Sequence, residues 1–348
     1  MNFLIVSKKF GPGHINHLKA WYKLCETCGY NAKLYLDERY KDYFEEDEYD
    51  YTVKLSEVED FQPHRVLIYN TGFENISFIN WCAKKKCPII YVLHEPYMGL
   101  RELLKDGSYM IKQVIASVLN VWICHKSNCV ILCSDYAEEN CAKYMKKTKE
   151  KAVRFPLIFL DDYNSRQVVE RTYFSMIGGC STAHGSDVFI EYIKQAYESG
   201  SKQKFQIVTR SNILHLLSDP VYKKMQDNGY LVVQQGRPLT EKEMSKAYRC
   251  SIATWNGYRR STQSGVLPNS LMHGTPVIAT EVGSFKEFVK PHLTGVFISD
   301  FKLETITDAV NQIRQEGNII NHSCREFFCE NFYYRNQMDK FKKIVENI

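Results

Sequence analysis

Short apolar runs alternate with amphipathic stretches along the whole chain, and the alternation occurs twice. In the first half Phe3–Ser7, Ala32–Leu36, Val66–Tyr69, Ile89–Leu93 and Val130–Cys133 read as buried strands, with a helix from about His17 to Cys28 between the first two. Strands separated by helical patterns predict parallel pairing through right-handed crossovers. Asp42–Asp60 is acidic and reads as a surface loop and strand edge. Arg154–Arg171 contains Pro156 and Asp161-Asp162-Tyr163-Asn164, lacks periodicity and reads as a connection between domains. The pattern then restarts with Tyr173–Ile177, a helix from Ser186 to about Glu198, strands Phe205–Thr209 and Tyr230–Gln234, a helix from Thr240 to about Arg249, and Ile252–Trp255. Thr240 and Glu243 form a capping-box pair at the start of that second helix. Near the C-terminus an aromatic cluster at Phe327, Phe328 and Phe332 precedes Tyr334, Met338, Phe341, Val345 and Ile348, whose alternating spacings of four and three mark a helix face.

With 348 residues and 44% hydrophobic content, the α/β pattern predicts two domains, 1–160 joined by a C-terminal helix at 330–348, and 170–325. No apolar run reaches the roughly 18–20 residues of a membrane span, and the N-terminus enters a strand at once, so neither a cleaved signal nor an integral membrane protein is expected. Twelve cysteines without a signal point to free thiols in a reducing cytosol. Cys25 and Cys28 read as part of a helix ending at Gly29, and Cys124, Cys129 and Cys133 as core. The net charge of +5 is carried by local clusters such as Lys143–Lys151. That run is either a solvated helix face or an attraction to an anionic membrane surface or lipid-linked pyrophosphate. Residues 101–124 combine basic positions with an apolar helix, which suits a core helix or a segment resting on a membrane. No nucleic-acid module is present.

Candidate chemistry gathers where strands end. Strand Phe3–Ser7 runs into K-K-F-G-P-G-H-I-N-H, in which Gly11 and Gly13 expose backbone amides, while His14 and His17 read as surface residues at a helix start. His94 and Glu95 follow strand Ile89–Leu93, at the edge where ligands of open α/β sheets collect. Gly178-Gly179-Cys180-Ser181-Thr182-Ala183-His184-Gly185 links a strand to a helix. Arg210 ends a strand, Arg237 lies in Q-Q-G-R-P, and Arg259 and Arg260 precede Ser261. Gln263–Gly295 contains a glycine turn, a short helix ending at Gly274, an apolar strand Pro276–Ala279 and a second turn at Gly283, an α/β unit of the kind that binds nucleotides. No D-x-D pair in a suitable context marks a metal-bound diphosphate, and Asp161-Asp162 lies in the connector, so no metal or other cofactor is expected.

The run H-G-T-P-V-I-A-T-E-V-G-S-F-K-E-F-V, followed by T-G, resembles the donor-binding signature of the retaining family 4 glycosyltransferases of the GT-B fold. The resemblance implies two Rossmann-like domains facing each other across a cleft, the C-terminal helix crossing back to the first. In the family a glutamate binds the donor ribose and a second lies eight residues earlier; these positions hold Asn269 and Ser261. Gly179 and His184 stand where the family clamps the diphosphate with basic residues. By the same pattern His94 contacts the transferred sugar, and the Gly11–Gly13 loop faces donor phosphates and acceptor. Glu95 binds the acceptor or, in an inverting enzyme, acts as general base. Ser264 and Gly265 open a helix towards the diphosphate, Ser261 or Gln263 meets sugar hydroxyls, and the loop of Arg237 flanks the nucleobase. Arg210 and Arg259 or Arg260 are candidates for the missing positive charge. The implied function is transfer of a hexose from a nucleotide sugar, UDP-linked by family frequency, to a hydroxyl of a glycan or lipid-linked oligosaccharide in surface polysaccharide biosynthesis. It would retain configuration, need no metal, and proceed in the cytoplasm or at the inner face of the membrane. A non-catalytic nucleotide-sugar-binding partner of another glycosyltransferase is the alternative; a sugar-nucleotide epimerase ranks third, for want of an acid/base set.

Overall fold

Phe3, Leu4, Ile5 and Val6 of the first strand, β1 (Asn2–Ser7), are all fully buried. Burial of successive residues means that both faces are covered, the environment of a central strand in a parallel sheet. The computed structural model describes residues 1–94, 110–163, 169–261 and 263–348, so Glu95 and positions 101–109 of the apolar segment lie outside the described residues. The chain divides into two units, Met1–Leu160 with Asn331–Ile348, and Asp161–Glu330.

In the first unit β1 is followed by α1 (Ile15–Thr27), β2 (Asn31–Leu36), β3 (Tyr51–Thr52), α2 (Leu55–Phe61), β4 (Arg65–Ile68), α3 (Ile76–Lys85) and β5 (Ile89–Leu93). Then come α4 (Met110–Lys126), β6 (Cys129–Leu132), α5 (Asp135–Tyr144), α6 (Lys146–Lys149) and β7 (Ala152–Arg154). The strands form one parallel sheet of order β3-β2-β1-β4-β5-β6-β7. The order reverses between β1 and β4, so the loops after these two strands diverge and leave a crevice at their C-terminal edge. The acidic segment read as loop and strand edge also contains α2, a helix too short for its period to show.

The second unit repeats the plan: β8 (Tyr173–Ile177), α7 (Ser186–Glu198), β9 (Lys204–Val208), α8 (Pro220–Asp227), β10 (Leu231–Gln234), α9 (Glu241–Arg249) and β11 (Ser251–Asn256). It continues with α10 (Val266–Met272), β12 (Val277–Thr280), α11 (Phe285–Phe288), β13 (Gly295–Ile298) and α12 (Leu303–Asn331), which bends at Gly317. The sheet is parallel, in order β10-β9-β8-β11-β12-β13, with its reversal between β8 and β11. Thr240 and Glu243 form the expected reciprocal cap of α9.

The C-terminal stripe belongs to the first unit. Helix α13 (Met338–Glu346) buries Phe341 against Phe3, Trp21 and Phe155, with ring centroids 5.6, 5.3 and 5.9 Å away. Removing a phenylalanine side chain from water contributes about 2–3 kcal/mol, so this ring secures the return of the chain. Phe155, Ile158 and Phe159, from the aperiodic stretch after β7, are buried in the same unit. Among the described residues no helix is long and apolar enough to cross a membrane.

Candidate functional site

At the β1–β4 reversal of the first unit, three histidines surround one tyrosine. Tyr69, just past β4, has ring centroids of His94 at 4.6 Å, His14 at 5.3 Å and His17 at 5.8 Å. His14 and His94 lie parallel, 6.1 Å apart and 6° from coplanar. His94 Nε2 donates to the Tyr69 carbonyl at 2.8 Å and His17 Nδ1 to the Ile158 carbonyl at 3.0 Å. Because a carbonyl only accepts, these bonds assign the tautomers and leave a lone pair on His94 Nδ1. Burial pushes His14 and His17 down to about 4 and His94 to about 3, the neighbouring imidazoles adding to the effect for His17 and His94. All three are neutral at physiological pH, so the group offers hydrogen-bonding atoms without charge.

The expectation that His14 and His17 are surface residues is corrected: His17 is buried and His14 half-buried. The turn from β1 into α1 folds them back over the sheet. Asn70 Nδ2 holds this turn through Ser7 Oγ at 2.8 Å and the Lys9 carbonyl at 2.7 Å. The two glycines of the loop differ. A side chain at Gly11 would stand 2.8 Å from His14 Nδ1, whereas one at Gly13 meets nothing within 4 Å. Gly11 is therefore required by the close approach of the imidazole, and its amide is already bonded to the Tyr40 hydroxyl at 2.9 Å.

At the β8–β11 reversal of the second unit, two glycine loops are clasped. Gly185 has φ +65°, and a side chain there would strike the Gly257 carbonyl; one at Gly257 would strike the Trp255 ring. Trp255 Nε1 donates to the carbonyls of His184 and Gly185, both at 3.2 Å, and the Arg259 amide donates to the Ala183 carbonyl at 2.9 Å. The Arg259 guanidinium forks onto Asp187, both contacts at 2.7 Å, and reaches the Thr182 carbonyl at 2.6 Å. That hydrogen-bonded pair holds the Asp187 carboxyl below its ordinary range. Replacing Arg259 with alanine should lower the Tm by about 2–4 °C, as loss of an accessible pair worth about 1 kcal/mol predicts. A smaller shift is expected for Asp187→Ala, which leaves Arg259 on the Thr182 carbonyl, and no shift beyond that of Arg259→Ala for the double variant, measured by calorimetry.

His184 stacks on Tyr258 at 4.4 Å and its Nδ1 donates to the Gly179 carbonyl at 2.9 Å. With Nδ1 engaged on that carbonyl, Nε2 is the other ring nitrogen of His184. Tyr258 is buried and its hydroxyl is pushed up to about 12. Neither Tyr258 nor Asp187 stood out in the sequence, because their roles depend on a partner across the reversal.

Of the remaining candidates, Arg210 is exposed beyond β9, and Arg260 is half-buried beside buried Ser261. Arg237 pairs with Glu243 Oε1 and, at 3.1 Å, with Glu243 Oε2, so its charge is matched within the cap of α9. Ser261 Oγ lies 3.4 Å from the Gln263 carbonyl, and half-buried Gln263, Ser264 and Gly265 lead into the seven-residue α10. Asn269 Nδ2 donates to the Gly265 carbonyl at 2.7 Å, which commits one of its hydrogens to its own helix. His273 of the signature is a core residue, bonded to the Asn269 carbonyl and to Ser245 Oγ, both at 2.8 Å. Gly179 adjoins Gly178, whose φ of +106° turns the chain out of β8. Among the described residues no group of three or more His, Cys, Asp or Glu side chains is arranged to hold a metal ion.

No family model and no curated protein sequence matches the chain. Solved structures do. HepE of Anabaena, crystallised with UDP, aligns at 12% identity over all of both chains with a TM-score of 0.72. A sucrose-phosphate synthase of Thermosynechococcus elongatus aligns at 11% identity over 100% of this chain and 98% of its own, with a TM-score of 0.74. A glycosyltransferase of Rickettsia africae aligns at 11% identity over 100% and 99%, with a TM-score of 0.69. At such identities the likeness defines architecture: the chain has the fold of the GT-B glycosyltransferases, two Rossmann-like domains each built on a parallel sheet.

Proposed function

We propose that the chain transfers a hexose from a nucleoside-diphosphate sugar, UDP-linked in the first instance, to a hydroxyl of a glycan or lipid-linked oligosaccharide. The acceptor is assigned to surface polysaccharide assembly at the cytoplasmic side of the membrane, and transfer to a retaining, metal-independent course. The observation behind this assignment is the clasped pair of glycine loops at the β8–β11 reversal, with His184, Tyr258 and Arg259 locked around it. Structures of like fold support the choice of donor, since HepE has been crystallised with UDP and with UDP-glucose.

In this scheme the second unit holds the donor. His184 Nε2 accepts a hydroxyl hydrogen of the sugar or ribose, Ser261 and Gln263 meet further hydroxyls, and Arg210 with Arg260 neutralises the departing diphosphate. His94 of the first unit accepts, through Nδ1, from a hydroxyl of the transferred sugar. The bond from the anomeric carbon to the diphosphate oxygen breaks as the bond to the acceptor oxygen forms on the same face, and the acceptor proton passes to the departing diphosphate.

Thermal melting with UDP, GDP, ADP and dTDP, each with and without common sugars and in EDTA, tests the donor assignment. UDP at about a hundred times its Kd should raise the Tm by about 5 °C, because a ligand bound only by the folded state stabilises it. No rise with any nucleotide overturns the assignment. A rise without release of UDP from UDP-sugars points instead to a non-catalytic binding partner.

A further inference from the structure

We propose that the first unit docks on an anionic phospholipid surface through the outer face of α4. This helix carries no aspartate or glutamate. Its inner side buries Leu119, Asn120, Ile123 and Cys124. Its outer side leaves Ile111 (66%), Val114 (37%), Ile115 (44%), Val118 (66%) and Val121 (50%) exposed. The positions recur at i, i+3, i+4, i+7 and i+10, so they form one continuous aliphatic stripe about 15 Å long. Single exposed aliphatics are ordinary on a protein surface, whereas a contiguous stripe marks a contact.

Charge identifies what covers it. Helix α4 packs between α3 and α6, and these three helices lead into β5, β6 and β7, which are adjacent in the sheet. Lys84, Lys85 and Lys86 at the end of α3, Lys126 at the end of α4, and Lys146, Lys147 and Lys149 on α6 are therefore brought to one edge, all exposed. Lys151 Nζ joins the turn after α6 to the end of α4, donating to the carbonyls of Ser127 at 2.6 Å and His125 at 3.2 Å. A cavity of about 600 Å³ lined by Arg65, Trp81, Lys85 and Lys86 opens at the same edge, where the acid Glu59 is engaged by Trp81 Nε1 at 2.9 Å. Glu150 is the one acid in the α6 turn. An aliphatic stripe ending in a lysine field fits the boundary between acyl chains and anionic headgroups. The same field on a second copy would repel this one, which disfavours self-association as the way the stripe is covered.

Docking here deepens the lipid-linked acceptor proposed above, and its test is independent of transfer. The full chain is floated with vesicles of phosphatidylcholine containing about one-third phosphatidylglycerol, and with phosphatidylcholine alone. Flotation with the anionic vesicles only, weakened by salt, is expected. Val118→Asp and the triple variant Lys146→Gln, Lys147→Gln, Lys149→Gln should each lower partitioning at least about tenfold. Unchanged thermal melting, and an unchanged response to UDP, would show that both variants fold and that the donor site is separate. Absence of flotation, equal flotation on neutral vesicles, or undiminished flotation of Val118→Asp overturns the proposal. So does a dimer in sedimentation that Val118→Asp converts to a monomer without any vesicle binding by the parent.

Discussion

Alanine in place of His94 is expected to lower kcat about a hundredfold or more, while leaving the Kd for UDP within about twofold of the parent. The imidazole is held on three sides: its Nε2 donates to the Tyr69 carbonyl, its face lies parallel to His14, and the Tyr69 ring stands edge-on to it. Little rotational freedom remains to be lost when a sugar hydroxyl binds Nδ1, so such a contact would act with full effect in the transition state. Asparagine, which keeps an acceptor near that position, should restore part of the rate. Since His94 is pushed down to about 3, it is already neutral throughout the neutral range and should add no limb to the rate profile between about pH 5 and 8. Initial rates with a UDP-sugar and calorimetric titration of UDP separate the two quantities. Unchanged turnover in His94→Ala removes its assignment to the sugar.

Acid should unfold the first unit before the second. His17 is 6% exposed and titrates at about 4 instead of its ordinary 6.5. Between those values the unfolded chain binds a proton that the folded chain does not, so stability is complete above 6.5 and falls as the pH drops towards 4. At 1.36 kcal/mol per unit, His17 alone costs about 3 kcal/mol over this interval. His14 and His94 act in the same sense, with smaller shares where solvent reaches them. In the second unit two effects oppose each other. His273 is pushed down to about 4, chiefly by burial, whereas burial and the nearby charges of Glu241 and Asp161 push Asp162 up to about 6. An acid whose folded pKa is raised favours the folded state as the pH falls through that range, which offsets His273. Urea denaturation at pH 7, 5.5 and 4.5 should therefore show one unit losing about 3 kcal/mol or more while the other changes little. His17→Asn, which can still donate to the Ile158 carbonyl, should flatten the dependence of the first unit. An equally steep slope in that variant would show that another group is responsible.

Much of the architecture was legible in the order of residues. Apolar runs such as Phe3–Val6 and Val277–Ala279 are continuous because parallel strands are covered on both faces, and the helices between them carry their own period. The cap at Thr240 and Glu243 involves residues three apart, and the C-terminal stripe follows the helical repeat, so both were visible locally. Strand β13 was missed because Gly295–Ile298 is four residues at a sheet edge, beginning on a glycine that a turn would also use.

The sites were less legible, since their geometry joins residues far apart in the chain. His14, His17, Tyr69 and His94 meet only because the β1–β4 reversal brings their loops together, and burial there turns apparent surface histidines into neutral imidazoles. Arg259 could be counted as a free cation from its neighbours in sequence, but in the fold it is matched by Asp187, seventy-two residues away. The sequence by itself determined the repeated α/β plan, because hydrophobic period and capping are local properties of the chain. Only the tertiary structure decided which charges are spent on each other, which histidines are kept neutral, and which face of the apolar helix α4 is left uncovered, because each depends on what the rest of the chain places beside it.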